Sequence, residues 1–429
     1  MITIAVVSLG CDKNRVDTEK MLYKLKDNVV VTDDFASADA IIVNTCAFIE
    51  SAREESINTI LEMAEYKSVG KCKKLIVTGC LPQRYLAEIK DELPEVDVFL
   101  GTNDYEKILD ALEQTKREYV SYCESGVLKG RILTTPPHYA YLKIADGCDN
   151  HCTYCMIPSI RGKYRSTPIE QLIEEAQKLV KSGVKELILV AQDVTRYGFD
   201  LYGKYTLIEL IRRLSKLDLT WIRLMYCYPE LVSDELIEEI SSNEKVVKYI
   251  DIPLQHIDDG VLRRMNRKSS YASINELMDK LSSKGIAVRT TLMVGFPGET
   301  QQAFDKLLDF VKKQKLRHVG VFAYSDEDVP SAKLDGKVDE KTKQKRAAQI
   351  AKAHKKNVEE FNKTMIGKTL CVLYEDIDFD KNLFKGRTED CAPEIDTCVY
   401  FKADFADVGS FYNVLIKSSE GYDLIGELK

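Results

Sequence analysis

Nine residues, C-D-N-H-C-T-Y-C-M from Cys148 to Met156, constrain this chain more than any other stretch. They place three thiols at Cys148, Cys152 and Cys155 in a Cys-x3-Cys-x2-Cys spacing. An apolar run, Tyr139 to Ala145, precedes them and reads as a short strand, and a helix is expected from Pro168. Three thiolates delivered by one tight loop can wrap one face of an iron–sulfur cluster. A four-iron cubane held by three cysteines keeps one iron open, and that iron can chelate a small molecule carrying an amine and a carboxylate. A structural zinc loop is the other reading. Zinc prefers four ligands, as paired Cys-x2-Cys turns or with histidine. His151 is near enough to serve, but it sits between two of the cysteines and would strain the loop.

At 429 residues the chain is too long for one ordinary core, so two to three domains are expected. Its 45% hydrophobic and 30% charged content is that of a globular protein. Apolar runs are short and broken by charge, so no membrane span is expected. The opening Met1-Ile-Thr-Ile-Ala-Val-Val lacks a basic segment and runs straight into a strand pattern, so no signal peptide is expected either. The 12 cysteines then belong to a reducing, cytoplasmic compartment, where metal or redox roles outweigh disulfides. The net charge of −7 gives no general argument for nucleic acid.

The first hundred residues alternate strand and helix. Apolar runs at Ile2–Leu9, Ala40–Val43, Lys74–Val77 and Val96–Leu100 are separated by helical patterns at Asp17–Leu25, Ser51–Glu65 and Pro82–Asp91. This predicts a parallel α/β domain over 1–117. Cys11 closes S-L-G-C, Cys46 closes V-N-T-C and Cys80 closes V-T-G-C, each at the carboxyl end of a strand and before a helix. Separations of 35 and 34 residues fit one βα unit each. Carboxyl ends of strands form the ligand crevice of an open α/β sheet, so the three thiols can converge there. Three unconnected buried cysteines would be the plainer outcome. Cys72 precedes its strand and falls outside the pattern.

Residues 118–137 read as a linker ending in T-T-P-P. From 138 to 364 strands are expected at Tyr139–Asp146, Lys185–Gln192, Trp221–Tyr228, Tyr249–Leu254, Val288–Val294 and His318–Tyr324, with helices after each. Six βα units suggest a parallel barrel, fully or partly closed, with active residues at strand carboxyl ends. Those ends carry the Cys148 loop, then Gln192 and Asp193, then Gln255 and His256, and a run from Arg289 to G-F-P-G-E-T at Gly295–Thr300. Gly295 and Gly298 suit close approach of backbone to a bound ligand, although such a turn is commonly only a turn. His256 alone reads as a structural histidine, and Tyr154 suits either core packing or stacking on adenine.

From 365 to 429 the helical period stops and short alternating runs appear at Thr369–Leu373, Thr397–Phe401, Tyr412–Ile416 and Tyr422–Gly426, which predicts a small antiparallel β-barrel. It holds seven Lys/Arg against 13 Asp/Glu, a net of −6. An acidic barrel repels phosphate and favours a basic protein partner; the other reading is an acidic face kept for solubility. Cys371, Cys391 and Cys398 are irregularly spaced and read as ordinary thiols rather than a third metal site.

Several segments together resemble the methylthiotransferases of the radical S-adenosylmethionine superfamily. They are S-L-G-C-D-K-N-R-V-D-T-E, V-N-T-C-A-F-I-E-S-A, V-T-G-C-L-P-Q-R-Y, the Cys148 loop, I-P-S-I-R-G-K-Y-R-S, V-A-Q-D-V-T-R-Y-G, I-P-L-Q-H and V-G-F-P-G-E-T. The resemblance runs end to end. It implies an amino-terminal methylthiotransferase domain, a radical S-adenosylmethionine (βα)6-type partial barrel and a carboxyl-terminal TRAM barrel. D-L-Y-G at 200–203 and A-P-E-I-D at Ala392–Asp396 look like the branch that modifies an aspartate of ribosomal protein S twelve, rather than the branch that modifies transfer-RNA adenosine. One departure is Pro82, where a small residue would be expected; proline is tolerated in a first helical turn.

The resemblance implies an auxiliary [4Fe–4S] cluster on Cys11, Cys46 and Cys80 and a radical-generating [4Fe–4S] cluster on Cys148, Cys152 and Cys155. One S-adenosylmethionine would methylate cluster-borne sulfur, and a second would be cleaved to a radical that removes hydrogen from the aspartate β-carbon. Tyr154, Gln192, Gln255, Arg289, Gly295 and Gly298 are the candidate cofactor contacts, with Arg289 and Gln255 also suited to substrate carboxylates. An external electron donor and a sulfur source are implied, and nucleic acid is not the expected substrate. The rivals are a transfer-RNA methylthiotransferase and a cluster-bearing sulfur-trafficking protein with no radical step.

Overall fold

The structure is a computed structural model describing residues 2–122, 130–326 and 328–429. Part of the expected linker, 123–129, lies outside the described residues. The chain forms two compact units. One comprises Met1–Thr134, Asp146–His151 and Cys155–Arg165; the other comprises Thr135–Ala145, Cys152–Tyr154 and Ser166–Lys429.

The first unit is built on six parallel strands, in the order Val29–Val31, Ile2–Ser8, Ala40–Thr45, Lys74–Gly79, Val98–Gly101, Glu118–Tyr119. Ala40–Thr45 and Val98–Gly101 are buried at every residue, as parallel strands are when helices cover both faces. On one face Ile4, Ile42, Ile76, Val98 and Leu100 pack against Met21, Leu22 and Leu25 of helix Asp12–Leu25 and against Ile108, Ala111 and Leu112 of helix Ile108–Glu113. Each such side chain contributes roughly 1.5–3 kcal/mol by leaving water. Two strands were not foreseen. Val29–Val31 and Glu118–Tyr119 are edges of three and two residues, and the second occupies the start of the expected linker. Helix Asp12–Leu25 also starts five residues earlier than its apolar period, because Lys13, Asn14 and Asp17 are polar yet buried.

The second unit holds an open sheet of six parallel strands in chain order: Tyr139–Lys143, Glu186–Val190, Trp221–Leu224, Val246–Asp251, Ala287–Val294 and His318–Ala323. This is the partial barrel that six βα units predict. Helix Glu340–Met365 lies along its last edge, where Asn357 Nδ2 donates to the Val311 carbonyl at 2.8 Å and His354 Nε2 lies 3.3 Å from the Arg317 carbonyl.

Next comes a closed five-stranded barrel in the order Thr369–Asp378, Leu383–Arg387, Val399–Lys402, Asp423–Leu428, Phe411–Glu420. Its core is Val372, Tyr374, Val399, Phe401, Val414, Ile416 and Leu424. Leu383–Arg387 was not foreseen, and one pairing, Val399–Lys402 with Asp423–Leu428, is parallel rather than antiparallel. This barrel seats against the amino ends of the parallel strands. Glu186, the first residue of its strand, is fully buried between Arg223, at 2.7 Å, and Arg387. Arg387 also pairs with Glu375 at 2.8 Å, and Trp221 meets Phe411 edge-on at 4.8 Å. Three of the acidic residues, Glu375, Asp390 and Asp396, therefore neutralise Arg387, Arg317 and Arg289, and the outward charge is smaller than composition implied. Among the described residues, no helix is long and apolar enough to cross a membrane.

Candidate functional site

In the first unit the strand order reverses between Ile2–Ser8 and Ala40–Thr45, the place where an open α/β sheet leaves a crevice. Cys11 and Cys46 follow these two strands, and Cys80 follows the next. Gly10, at φ +89°, allows the approach: a Cβ there would lie 2.9 Å from Cys46 Cβ. Gly79, at φ +100°, would collide with Asn44 and the Thr45 backbone if it carried a side chain. Polar residues within the same motifs hold the loops. Asn14 Nδ2 donates to the Thr45 carbonyl at 3.1 Å, and Asn44 Nδ2 donates to the Asn14 carbonyl at 3.0 Å. Thr45 Oγ1 donates to the Thr78 carbonyl at 2.6 Å, and Ser56 Oγ donates to the Cys46 carbonyl at 2.8 Å.

The three thiols are free, and a Cβ on Gly10, next to Cys11, would lie 3.3 Å from Cys46 Sγ. Burial pushes the Cys80 thiol up to about 12; Arg161 opposes this, and Cys11 and Cys46 add to it. Cys46 is also raised, first by burial. Arg161 was not singled out from the sequence, although it stands in the quoted I-P-S-I-R-G-K segment. It is buried, with Nη1 2.7 Å from Asp17 and 3.1 Å from Asp146, and Nη2 2.6 Å from Asn14 Oδ1 and 4.0 Å from Cys80 Sγ. Metal binding deprotonates a thiol outright, so three converging soft donors beside a buried cation fit a cluster that carries negative charge. The amino ends of helices Asp12–Leu25 and Cys80–Glu92 add positive potential beside Cys11 and Cys80.

In the Cys148 loop, backbone N–H groups point at sulfur. Asn150 N donates to Cys148 Sγ at 3.5 Å and Ile157 N donates to Cys155 Sγ at 3.4 Å. His151 is exposed and takes φ +50°. Within the second unit, Cys152 Sγ lies 3.6 Å from the Tyr228 hydroxyl. Tyr228 N in turn bonds Thr195 Oγ1 of the A-Q-D-V-T segment at 3.2 Å. Thr153 is fixed at both backbone ends, to the Met265 carbonyl at 3.2 Å and to Ser331 N at 2.9 Å.

The remaining candidates divide. Gln192 and Gln255 stand just past their strands, and Gln255 holds φ +66° while bonding Thr291 O and Met293 N. Tyr154 packs edge-on to Phe296 of the G-F-P-G turn at 6.4 Å. Gly295 and Gly298 leave room for the Lys343 stem and the Arg264 side chain, so packing explains both glycines within the protein itself. The buried Glu299, missed from the sequence, fixes that turn by accepting from Gly295 N and from Arg346 at 3.2 Å. His256 is fully buried, its Nδ1 accepting from Asp258 N at 3.0 Å, a structural arrangement. Arg289 departs from expectation. It is the third residue of its strand, away from the carboxyl end, and two carboxylates already occupy its guanidinium, Asp251 at 3.1 Å and Asp396 at 3.3 Å.

Family models match three segments: the Radical SAM superfamily over residues 142–311, the uncharacterized protein family UPF0004 over 3–101 and the TRAM domain over 366–428. "Ribosomal protein uS12 methylthiotransferase RimO" of Clostridium botulinum (strain Eklund 17B / Type B) is 49% identical over 435 residues, 99% of this chain and 97% of its own. The protein of the same name from Clostridium tetani is 47% identical over 99% of this chain and 98% of its own. The chain belongs to the RimO family of methylthiotransferases. The RimO-family likeness covers both cysteine trios, since Cys11, Cys46 and Cys80 fall in the UPF0004 match and Cys148, Cys152 and Cys155 in the Radical SAM match. At the level of fold alone, the chain is similar to the radical S-adenosylmethionine methyltransferase TsrM of Kitasatospora setae (TM-score 0.56, 11% identity, 75% of this chain and 74% of that one). It is similar in the same sense to the cobalamin-dependent radical enzyme OxsB (TM-score 0.52, 13% identity, 82% of this chain and 56% of that one).

Proposed function

We propose that this chain is a cytoplasmic radical S-adenosylmethionine enzyme that transfers a methylthio group to ribosomal protein uS12, at the β-carbon of an aspartate side chain. The observation that carries the reading is the placement of Cys11, Cys46 and Cys80 after three adjacent strands beside the reversal point of the first sheet, in a chain whose end-to-end relatives bear the uS12 methylthiotransferase name. These three would hold one [4Fe–4S] cluster, and Cys148, Cys152 and Cys155 a second. With S-adenosylmethionine bound, these groups supply a carbon radical and a sulfur donor, which a C–H bond too weakly acidic for any side-chain base requires.

The chain's own residues bind and orient. Arg161 offsets thiolate charge at Cys80, and the buried Asp17 and Asn14 hold its guanidinium there. Tyr228 and the fixed Thr153 backbone position Cys152. Tyr154 and Phe296 offer an aromatic wall beside the Gly295 turn, and Gln192 and Gln255 offer amides to polar cofactor groups. Exposed Asp376, Asp380, Asp404 and Asp407 on the C-terminal barrel suit a basic protein rather than phosphate. Electrons and sulfur come from outside the chain.

The test compares cells with and without the protein. Digests of uS12 are searched by mass spectrometry for methylthio-aspartate, and transfer RNA from the same extracts for methylthio-adenosine. Loss of only the aspartate mark is the expected result. Loss of only the nucleoside mark would overturn the choice of substrate.

A further inference from the structure

A second kind of donor cluster lies on the far side of the parallel sheet from its carboxyl-end rim. His318 opens the last parallel strand, and Asp390 and Cys391 lie in the loop between Leu383–Arg387 and Val399–Lys402 of the C-terminal barrel. Imidazole, carboxylate and thiol bring ligand atoms within 4.8 Å of one another. His318 Nε2 is 3.9 Å from Cys391 Sγ, and Sγ is 3.7 Å from Asp390 Oδ1. Zinc–sulfur bonds of about 2.3 Å and zinc–nitrogen or zinc–oxygen bonds of about 2.0–2.1 Å set tetrahedral ligand atoms roughly 3.3–3.6 Å apart. The two pairs that involve Sγ need to close by only a few tenths of an ångström.

The surroundings are built for a cation. His318 Nε2 donates to the Asp390 carbonyl oxygen at 2.7 Å, and Nδ1 faces Asp396 Oδ1 at 3.4 Å. Moving the proton to Nδ1, beside that carboxylate, frees the Nε2 lone pair for a metal. Arg317 Nε holds Asp390 Oδ2 at 3.0 Å, and Oδ1, which accepts from Thr388 Oγ1, lies on the side of the thiol. Two cavities reach the place. One of about 270 Å³ is lined by His318, Asp396 and Thr397, and one of about 600 Å³ by Arg317, Thr388 and Asp390.

We propose that His318, Asp390 and Cys391 form a zinc site that staples the C-terminal barrel to the last strand of the parallel sheet. Thiolate, imidazole and carboxylate together suit zinc rather than the all-oxygen cations. Asp390 is already paired with Arg317, so the Cys391 thiolate supplies the added negative charge, and the thiol proton leaves to solvent. Cys391, which the sequence presented as an ordinary thiol, takes this role because folding brings a histidine 73 residues away beside it.

The cluster cysteines also take zinc, so the test uses the full chain with Cys11, Cys46, Cys80, Cys148, Cys152 and Cys155 all changed to Ala, titrated with zinc alone and with Co²⁺. The expected result is one equivalent bound, a thiolate-to-cobalt absorption band and a higher Tm with zinc. All three are lost on adding Cys391→Ser or His318→Gln. Uptake that is absent, or unchanged by Cys391→Ser, overturns the proposal. Should circular dichroism show the sextuple variant unfolded, zinc is counted in the purified cluster-loaded chain. One zinc in the parent and none with Cys391→Ser supports the site, and equal zinc in both overturns it. Neither arm reads methylthio transfer, so the outcome is independent of the proposed activity.

Discussion

Cys11, Cys46 and Cys80 meet only after three βα units have folded, whereas Cys148, Cys152 and Cys155 are neighbours in the chain before anything folds. The difference shows in what holds each trio. Closing a longer loop costs more entropy, by about 0.6 kcal/mol for each doubling. The first trio is accordingly positioned by buried polar side chains drawn from separate elements: Asn14, Asn44, Thr45 and Arg161. The second is served largely by its own backbone, through N–H groups aimed at Cys148 and Cys155. A site assembled by tertiary structure is sensitive to its scaffold; a site assembled by local sequence is sensitive chiefly to its ligands.

The largest expected effects separate the trios chemically. Cys80→Ala and Cys152→Ala should each abolish methylthio transfer and each remove about half of the bound iron, if each trio holds one four-iron cluster. Only Cys152→Ala should also stop release of 5′-deoxyadenosine from S-adenosylmethionine under reducing conditions. If Cys80→Ala stopped that release as well, the trios would not be independent and the comparison would fail.

Next in size is the scaffold of the first trio. Arg161→Met removes the guanidinium paired with the buried Asp17 carboxylate, and breaking a buried pair in this way costs about 3–5 kcal/mol. Arg161→Lys restores charge but not the forked contacts to Asp17 and Asn14, so it should recover only part of the loss. Urea unfolding of the three proteins checks the order. Equal stability of Arg161→Met and the parent would mean that the trio does not lean on this side chain.

Legibility in the sequence follows the same division. The local trio could be read from spacing, and the distant one from the repetition of Gly-Cys or Thr-Cys at strand ends. The six parallel strands of the second sheet were legible as apolar runs between helical segments, although Ala287–Val294 alternates in burial and His318–Ala323 is buried only at its first residue. Val29–Val31 and Glu118–Tyr119 were not, since two or three residues carry no period. Leu383–Arg387, L-F-K-G-R, does not alternate, and the tail accordingly read as four strands instead of five. Arg161 and Glu299 stood in view inside quoted segments, but burial of a charge is decided by what folds over it. Net charge misled in the same way. Asp390 and Asp396 count as acidic surface in a composition and as partners of Arg317 and Arg289 in the fold. Arg289, read as a cofactor contact from its place in a strand, is held at the amino half of that strand by those same pairings.

A smaller effect is expected from Gly10→Ala. The added Cβ would lie 2.9 Å from Cys46 Cβ on a backbone at φ +89°, so the strain is about 1–3 kcal/mol. The loop should yield by moving Cys11 away from Cys46, lowering auxiliary iron and methylthio transfer while 5′-deoxyadenosine release stays at the parent level.

The least effect belongs to a side chain beside Cys152. Tyr228 contributes a hydroxyl 3.6 Å from Cys152 Sγ, and a typical hydrogen bond is worth about 0.5–1.5 kcal/mol net. Tyr228→Phe keeps the ring over which Arg267 sits at 4.3 Å, so packing survives while the hydroxyl contact to sulfur goes. Iron content and 5′-deoxyadenosine release should both stay within about threefold of the parent, the change that 0.7 kcal/mol makes in an equilibrium. A larger loss would show that this loop also relies on its scaffold, and the contrast between the two trios would then be one of degree.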